Sequence, residues 1–212
     1  MRTKCGFTEQ PQKVYNKLGL RFVKKMNKAT ARVPKNLHKM RIMGEEICMT
    51  LNIDKEYPGD VEFDYETIAR QVVEAALDSE NCPYEAEVSL VLTTDEDIQR
   101  TNREFREIDR VTDVLSFPML DYDTPGDFSF AEESGDAFHP ETGELILGDI
   151  MIAVPRMLEQ AKQFGHGSVR EFAFLVAHSM LHLMGYDHMS EEEAAVMETK
   201  QEAILEGLGI RR

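Results

Sequence analysis

Within eleven residues, His178-Ser179-Met180-Leu181-His182-Leu183-Met184-Gly185-Tyr186-Asp187-His188, the chain places half of its six histidines. This run dictates a local shape. His178 and His182 stand four apart, so a helix projects both from one face, one turn from each other. Gly185 can take the left-handed conformation and end that helix. The chain then turns, and His188 returns toward the first two. Three neutral imidazoles converging on one point, with no fourth protein ligand in the run, describe an open catalytic zinc site whose fourth position holds water. A lone histidine pair on an apolar helix can equally be core; the third histidine behind a glycine turn favours the metal.

The spacing H-x-x-x-H-x-x-G-x-x-H is that of the metzincin proteases, with one departure. Those enzymes carry Glu directly after the first His, as general base. Here the position is Ser179, whose hydroxyl cannot do that work near neutral pH. The ligand cage is kept and the peptidase base is missing. Asp187 has two readings: a carboxylate that orients an imidazole, or a turn residue after Gly185-Tyr186. Tyr186 reads as packing.

A chain of 212 residues suffices for one domain with an appendage, or for two small domains, and can bury a substantial core. Cys5, Cys48 and Cys82 are odd in number and far apart, and no CxxC occurs, so a disulfide scaffold is excluded and a reducing compartment is expected. No run of about eighteen apolar residues predicts a membrane span, and the N-terminus lacks the apolar core of a secretory signal. The net charge of −15 hides an asymmetry. Residues 1–44 hold 12 Lys+Arg against one acid, Glu9, a balance of +11; residues 45–212 hold 12 against 38, a balance of −26. An acidic body repels phosphate backbones on average. A nucleic-acid role must therefore rest on a local basic cluster plus the metal.

Residues 1–48 read as a separate basic, poorly ordered extension, interrupted by Pro34. It is either an RNA-binding arm or sequence ahead of a start at Met49; the sharp compositional break favours the second. From Met49 the pattern becomes regular. Strands are expected at Met49–Ile53, Glu87–Leu92, Asp113–Phe117 and Glu144–Ile152. Helices are expected over Tyr65–Leu77 with Asp64 as N-cap, Asp95–Phe105 capped by Thr94, Val154–Phe164 closed by Gly165, and Ser168–Met184. A last helix opens at the capping box of Ser190 and Glu193 and runs to about Leu208. Residues 121–143 read as a long acidic, turn-rich loop. The order is not a regular βα repeat, and two strand-to-helix connections are very short. Both point to an α+β fold: a small mixed sheet with helices packed on it.

A second constellation lies on the Asp95–Phe105 helix. Arg100, Arg103 and Arg106 recur every three residues and form a basic edge. Interleaved acids can neutralise Arg100 and Arg103 as a solvated face. Arg106 differs, because it lies where the helix gives way to a loop, and functional side chains concentrate at such ends. Four blocks now stand in order: Asn102-Arg103-Glu104-Phe105-Arg106; Asp109 through Pro118; Gly143-Glu144-Leu145-Ile146-Leu147-Gly148-Asp149-Ile150; and His178 through His188. They resemble the signature blocks of the YbeY family, bacterial single-domain zinc-dependent endoribonucleases of ribosomal RNA maturation. The resemblance runs from about Met49 to the C-terminus; the first 48 residues have no counterpart in it.

The resemblance implies an α+β domain over 49–212, with a four-stranded mixed sheet and a zincin-like metal helix. It implies one Zn2+ per chain on His178, His182 and His188, with Arg106 as catalytic residue. Ser116 and Asp149 fall in blocks near the family's site, without an assigned role, and Asp113 stands where many members carry Asn. The implied activity is single-strand-specific cleavage in ribosomal RNA processing, 16S rRNA 3′ end maturation and ribosome quality control. The implied partners are ribosomal RNA, its precursors, and the small subunit or its proteins, in the cytoplasm, with neither membrane nor DNA involved. A three-histidine zinc lowers the pKa of its water toward neutrality, while Arg106 offsets phosphoryl charge through its planar fork. No general base is evident, so attack by water and attack by the 2′-OH both stay open. Two alternatives compete. One is another metal hydrolase, which Ser179 makes a poor peptidase. The other is a non-enzymatic ribosome assembly factor in which zinc braces the C-terminal helices.

Overall fold

The computed structural model describes residues 49–132, 134 and 136–211. The basic extension expected over residues 1–48 lies outside them. The elements follow in order β1 (Thr50–Lys55), α1 (Tyr65–Ser79), β2 (Ala86–Thr93), α2 (Asp95–Arg106), β3 (Val114–Pro118), β4 (Leu145–Ala153), α3 (Val154–Phe164), α4 (Ser168–Leu183) and α5 (Glu191–Gly207). Helix starts are set by side chains that satisfy free backbone N–H groups. Asp64 accepts from Thr67 N at 3.1 Å and Thr94 from Asp97 N at 3.2 Å. Ser190 and Glu193 form the reciprocal capping box. Gly165 closes α3 at φ 71°, the left-handed conformation a side chain disfavours.

The sheet order is β1-β2-β4-β3. β1, β2 and β4 run parallel, and β3 is an antiparallel edge. This is the expected α+β architecture. Alternation of side chains gives the sheet two faces. Val88, Leu90, Leu92, Leu145, Leu147, Ile150 and Ile152 join the main core beneath α1, α4 and α5. Val91, Leu115, Phe117, Met151 and Ala153 form a second, smaller core with Ile98 of α2.

Helix α4 is the centre of the larger core. Phe172, Leu175, Val176, Met180, Leu181 and Leu183 are each at most 2% exposed. Burying such side chains contributes about 1.5–3 kcal/mol apiece before entropy is charged. An almost wholly buried helix cannot roll or slide without opening that core, so whatever its one open stripe carries is held in place. Gly148 sets how closely the helix approaches. It lies at φ 139°, and a Cβ there would stand 2.1 Å from the Phe117 carbonyl oxygen and 3.1 Å from Leu183 Cδ2. Only a residue without a side chain lets β3, β4 and the end of α4 meet.

Candidate metal centre

The open stripe of α4 carries His178 and His182, and the chain beyond it delivers His188. Gly185 takes φ 90°. Tyr186 N donates to Leu181 O at 3.0 Å and Gly185 N to His182 O at 3.1 Å, so the turn folds back over the helix end. Asp187 Oδ1 accepts from His188 N at 2.8 Å. Asp187 thus braces the turn, and its carboxylate also acts on His178 and His182. Each imidazole then offers one nitrogen to a cluster whose ligand atoms all lie within 4.8 Å of one another. His178 and His182 are partly buried, and His188 faces solvent.

The donor set fits zinc. Two nitrogens on a tetrahedral zinc, each at about 2.0–2.1 Å, lie roughly 3.4 Å apart. His178 Nε2 stands 3.1 Å from His182 Nε2. Burial pushes His182 down to about 4, with His178 and His188 adding to the effect against the Tyr186 carbonyl. Burial also lowers His178, against the Gln201 hydrogen bond and the carboxylates of Asp113 and Asp187. Both rings are therefore neutral near pH 7 and present lone pairs. His182 Nδ1 donates to the Tyr186 carbonyl at 2.8 Å, since a carbonyl can only accept. That leaves His182 Nε2 free for a metal.

The turn is walled from two sides. From the long loop, Tyr122 packs on Gly185, where a Cβ would stand 2.6 Å from the Tyr122 Cβ. Gly126 N also donates to Met184 O at 2.9 Å. From the helices, Tyr186 Oη donates to Glu80 Oε2 at 2.6 Å, and Lys200 Nζ to Glu80 Oε1 at 2.9 Å. Tyr186, expected as packing, thus pins the turn to α1 and α5. Neither the wall from 121–143 nor this clamp was legible in the sequence, because the partners lie far apart along the chain.

Ser179 is fully buried in the core, with its Oγ shielded from solvent. The position that holds the general base in a peptidase is thus packed in the core by a residue that is no base. The Arg residues divide as well. Arg100 pairs with Asp97 at 2.6 Å and Arg103 with Asp109 at 3.6 Å, so both belong to an exposed ion-paired face. Arg106 is exposed at the C-terminal end of α2. Beyond it Glu107 caps the helix at φ 58°. Buried Asn102 then donates to Arg110 O at 2.9 Å, fixing the loop that leads to Asp113. Sequence reasoning had passed over Asp113 as a site residue. It immediately precedes β3, and its carboxylate acts on His178 and Glu171.

Ser116 and Asp149, which the resemblance grouped near the site, separate. Ser116 alternates with Leu115 and Phe117 and so lies on the α4 side of β3. Asp149 alternates with Ile150 and lies on the opposite face of the sheet, hydrogen-bonded to Ser89 with Glu87 nearby. Burial raises Asp149 to about 6. Its separation from the cluster follows from the period of two along β4, which a shared sequence block conceals.

The family model and the curated relatives point to one family. The model of the family described as Endoribonuclease YbeY matches residues 51–209. A protein named Endoribonuclease YbeY from Agathobacter rectalis is 59% identical over 165 residues, 77% of this chain and 100% of that protein. One of the same name from Lachnoclostridium phytofermentans is 53% identical over 165 residues, with the same coverage. The solution structure of TM1509 from Thermotoga maritima aligns with TM-score 0.46 and 22% identity, over 75% of this chain and 91% of that one.

Proposed function

Because the chain belongs to the Endoribonuclease YbeY family, we propose that residues 49–212 form one zinc-dependent endoribonuclease domain acting on single-stranded ribosomal RNA. The observation that supports it most is the convergence within 4.8 Å of His178 and His182, on a largely buried helix, with His188 from the turn beyond it. These three would hold one zinc ion per chain. Zinc supplies Lewis acidity toward a water or a phosphoryl oxygen. The protein's residues do the rest. Tyr186 keeps His182 in the tautomer that presents Nε2. Arg106 binds a phosphoryl oxygen through its planar fork and offsets charge as it develops. The acidic body repels RNA elsewhere and leaves binding to this local site. The substrate class follows from the family: ribosomal RNA precursors, in particular the 3′ end of 16S rRNA. The small ribosomal subunit or its proteins are the partners, and the cytoplasm is the location. No helix among the described residues is long and apolar enough to cross a membrane.

The test is incubation of zinc-loaded protein with rRNA precursor labelled at either end. Discrete internal cleavage is expected, lost in the His178→Ala/His182→Ala double variant together with its zinc. A wild-type protein that binds zinc and the ribosomal subunit but cleaves nothing would favour the assembly-factor reading instead.

A further inference from the structure

Helix α5 lies on the core through Met197, Gln201, Ile204 and Leu205, its buried residues. Their spacing is that of an apolar helical stripe, yet one member is an amide, 2% exposed. A buried amide costs about 1–3 kcal/mol unless its hydrogen bonds are met. A Met or Leu at this position would continue the stripe at no such cost. What Gln201 bonds to therefore says why it is there.

It bonds to the metal helix twice. Nε2 donates to the Phe174 carbonyl at 3.4 Å, and Oε1 lies 3.3 Å from His178 Nδ1. The first contact fixes the second. A backbone carbonyl only accepts, so the amide must turn its NH2 toward Phe174 and its oxygen toward His178. Oxygen only accepts, so His178 Nδ1 must carry the proton. His178 Nε2 is then a bare lone pair. His182 Nε2 is a bare lone pair for the parallel reason, its Nδ1 proton going to the Tyr186 carbonyl. The 3.1 Å approach of the two Nε2 atoms is consequently not a hydrogen bond. It is two acceptors aimed at one point, an arrangement that a cation between or beside them stabilises.

We propose that Gln201 is a positioning residue for the metal centre: its side-chain oxygen, oriented by the Phe174 carbonyl, locks His178 in the Nδ1–H tautomer and aims Nε2 at the metal. The inference rests on the three-histidine zinc reading and deepens it. It also ties the C-terminal helix to the site, since α5 carries Gln201 and, one residue earlier, Lys200 of the Tyr186 clamp. One helix thereby steadies two of the three ligands.

The test combines a measurement on the unaltered chain with two variants. Long-range 1H–15N NMR of the imidazoles, in zinc-free and zinc-loaded full-length protein, reads the tautomer directly. His178 is expected as Nδ1–H in both, with the Nε2 resonance alone moving on zinc addition. Zinc affinity is read by competition with a chromogenic chelator. Gln201→Met, which keeps length and burial but not the acceptor, should weaken zinc binding about 10- to 100-fold and leave His178 in mixed tautomers. Gln201→Glu keeps an acceptor for His178 Nδ1 but loses the donor to the Phe174 carbonyl, so it should bind zinc more tightly than Gln201→Met and less tightly than the parent. An Nε2–H or averaged His178 in the unaltered protein overturns the proposal whether or not either variant folds. So does a folded Gln201→Met that binds zinc like the parent. Failure of the unaltered protein to bind zinc would sink the metal reading, and the zinc-free tautomer would still decide the role of Gln201.

Discussion

Replacing Gly185 with Ala should damage fold and site together. Gly185 lies at φ 90°, a left-handed backbone in which a side chain costs about 1–2 kcal/mol. The new methyl would also stand 2.6 Å from Tyr122 Cβ and 2.7 Å from Tyr122 Cγ. Contacts that short cannot persist, so either Tyr122 withdraws or the turn opens. Overpacking of this kind costs a further ~1–3 kcal/mol. The sum is about 2–5 kcal/mol, or roughly 4–20 °C in Tm for a domain of this size. Opening the turn also stretches the Gly126 N to Met184 O bond, 2.9 Å in the parent, and carries His188 away from the other ligands. Zinc affinity should fall on the order of 10-fold or more. Urea unfolding in the presence of a chelator isolates the folding cost, and chelator competition then reads the site. A double-mutant cycle with Tyr122→Gly, which removes both contacted atoms, separates the two terms. The packing part should appear as coupling of about 1–3 kcal/mol, with the backbone part surviving in the double variant. A Gly185→Ala protein that melts like the parent, or a cycle with no coupling, refutes the reasoning.

Three further outcomes are expected. Asp149 is raised to about 6, chiefly by burial, so the folded state binds its proton more tightly than the unfolded chain. Its contribution is most favourable below about pH 4 and worsens as pH rises through 6. Asp149→Asn should therefore gain on the order of 1–3 kcal/mol at pH 8 and nothing at pH 4; denaturant curves giving the same difference at both pH values would contradict this. Arg106→Lys keeps the charge and loses the bidentate fork, so cleavage of labelled rRNA should drop roughly ten-fold or more while Tm and zinc content hold; wild-type turnover would remove Arg106 from the mechanism. A chain beginning at Met49 should melt within about 2–4 °C of the full chain, a change no larger than about 1 kcal/mol in a domain of this size; a collapse in thermal stability would show that residues 1–48 are integral.

The sequence by itself determined what short-range physics can determine. Asp64, Thr94, Gly165 and the Ser190–Glu193 box marked helix ends, because a cap is satisfied within three or four residues. The i, i+4 histidines and Gly185 marked the histidine cluster for the same reason: helix pitch and one left-handed turn direct three rings toward one point. The α+β class followed from the order of strands and helices. Tertiary structure decided everything that depends on partners distant in sequence. It placed β4 between β2 and β3, and turned Asp149 away from the cluster while Ser116 stayed on the helix side. It laid Tyr122 against Gly185 and tied Glu80 to Tyr186 and Lys200, 106 and 120 residues away in the chain. Gln201 shows where the boundary falls. The helical spacing of Met197, Gln201, Ile204 and Leu205 marks it as an amide in an apolar stripe. That its oxygen meets His178 was decided only when α5 packed on α4, because an amide can bond to many partners and burial leaves it one.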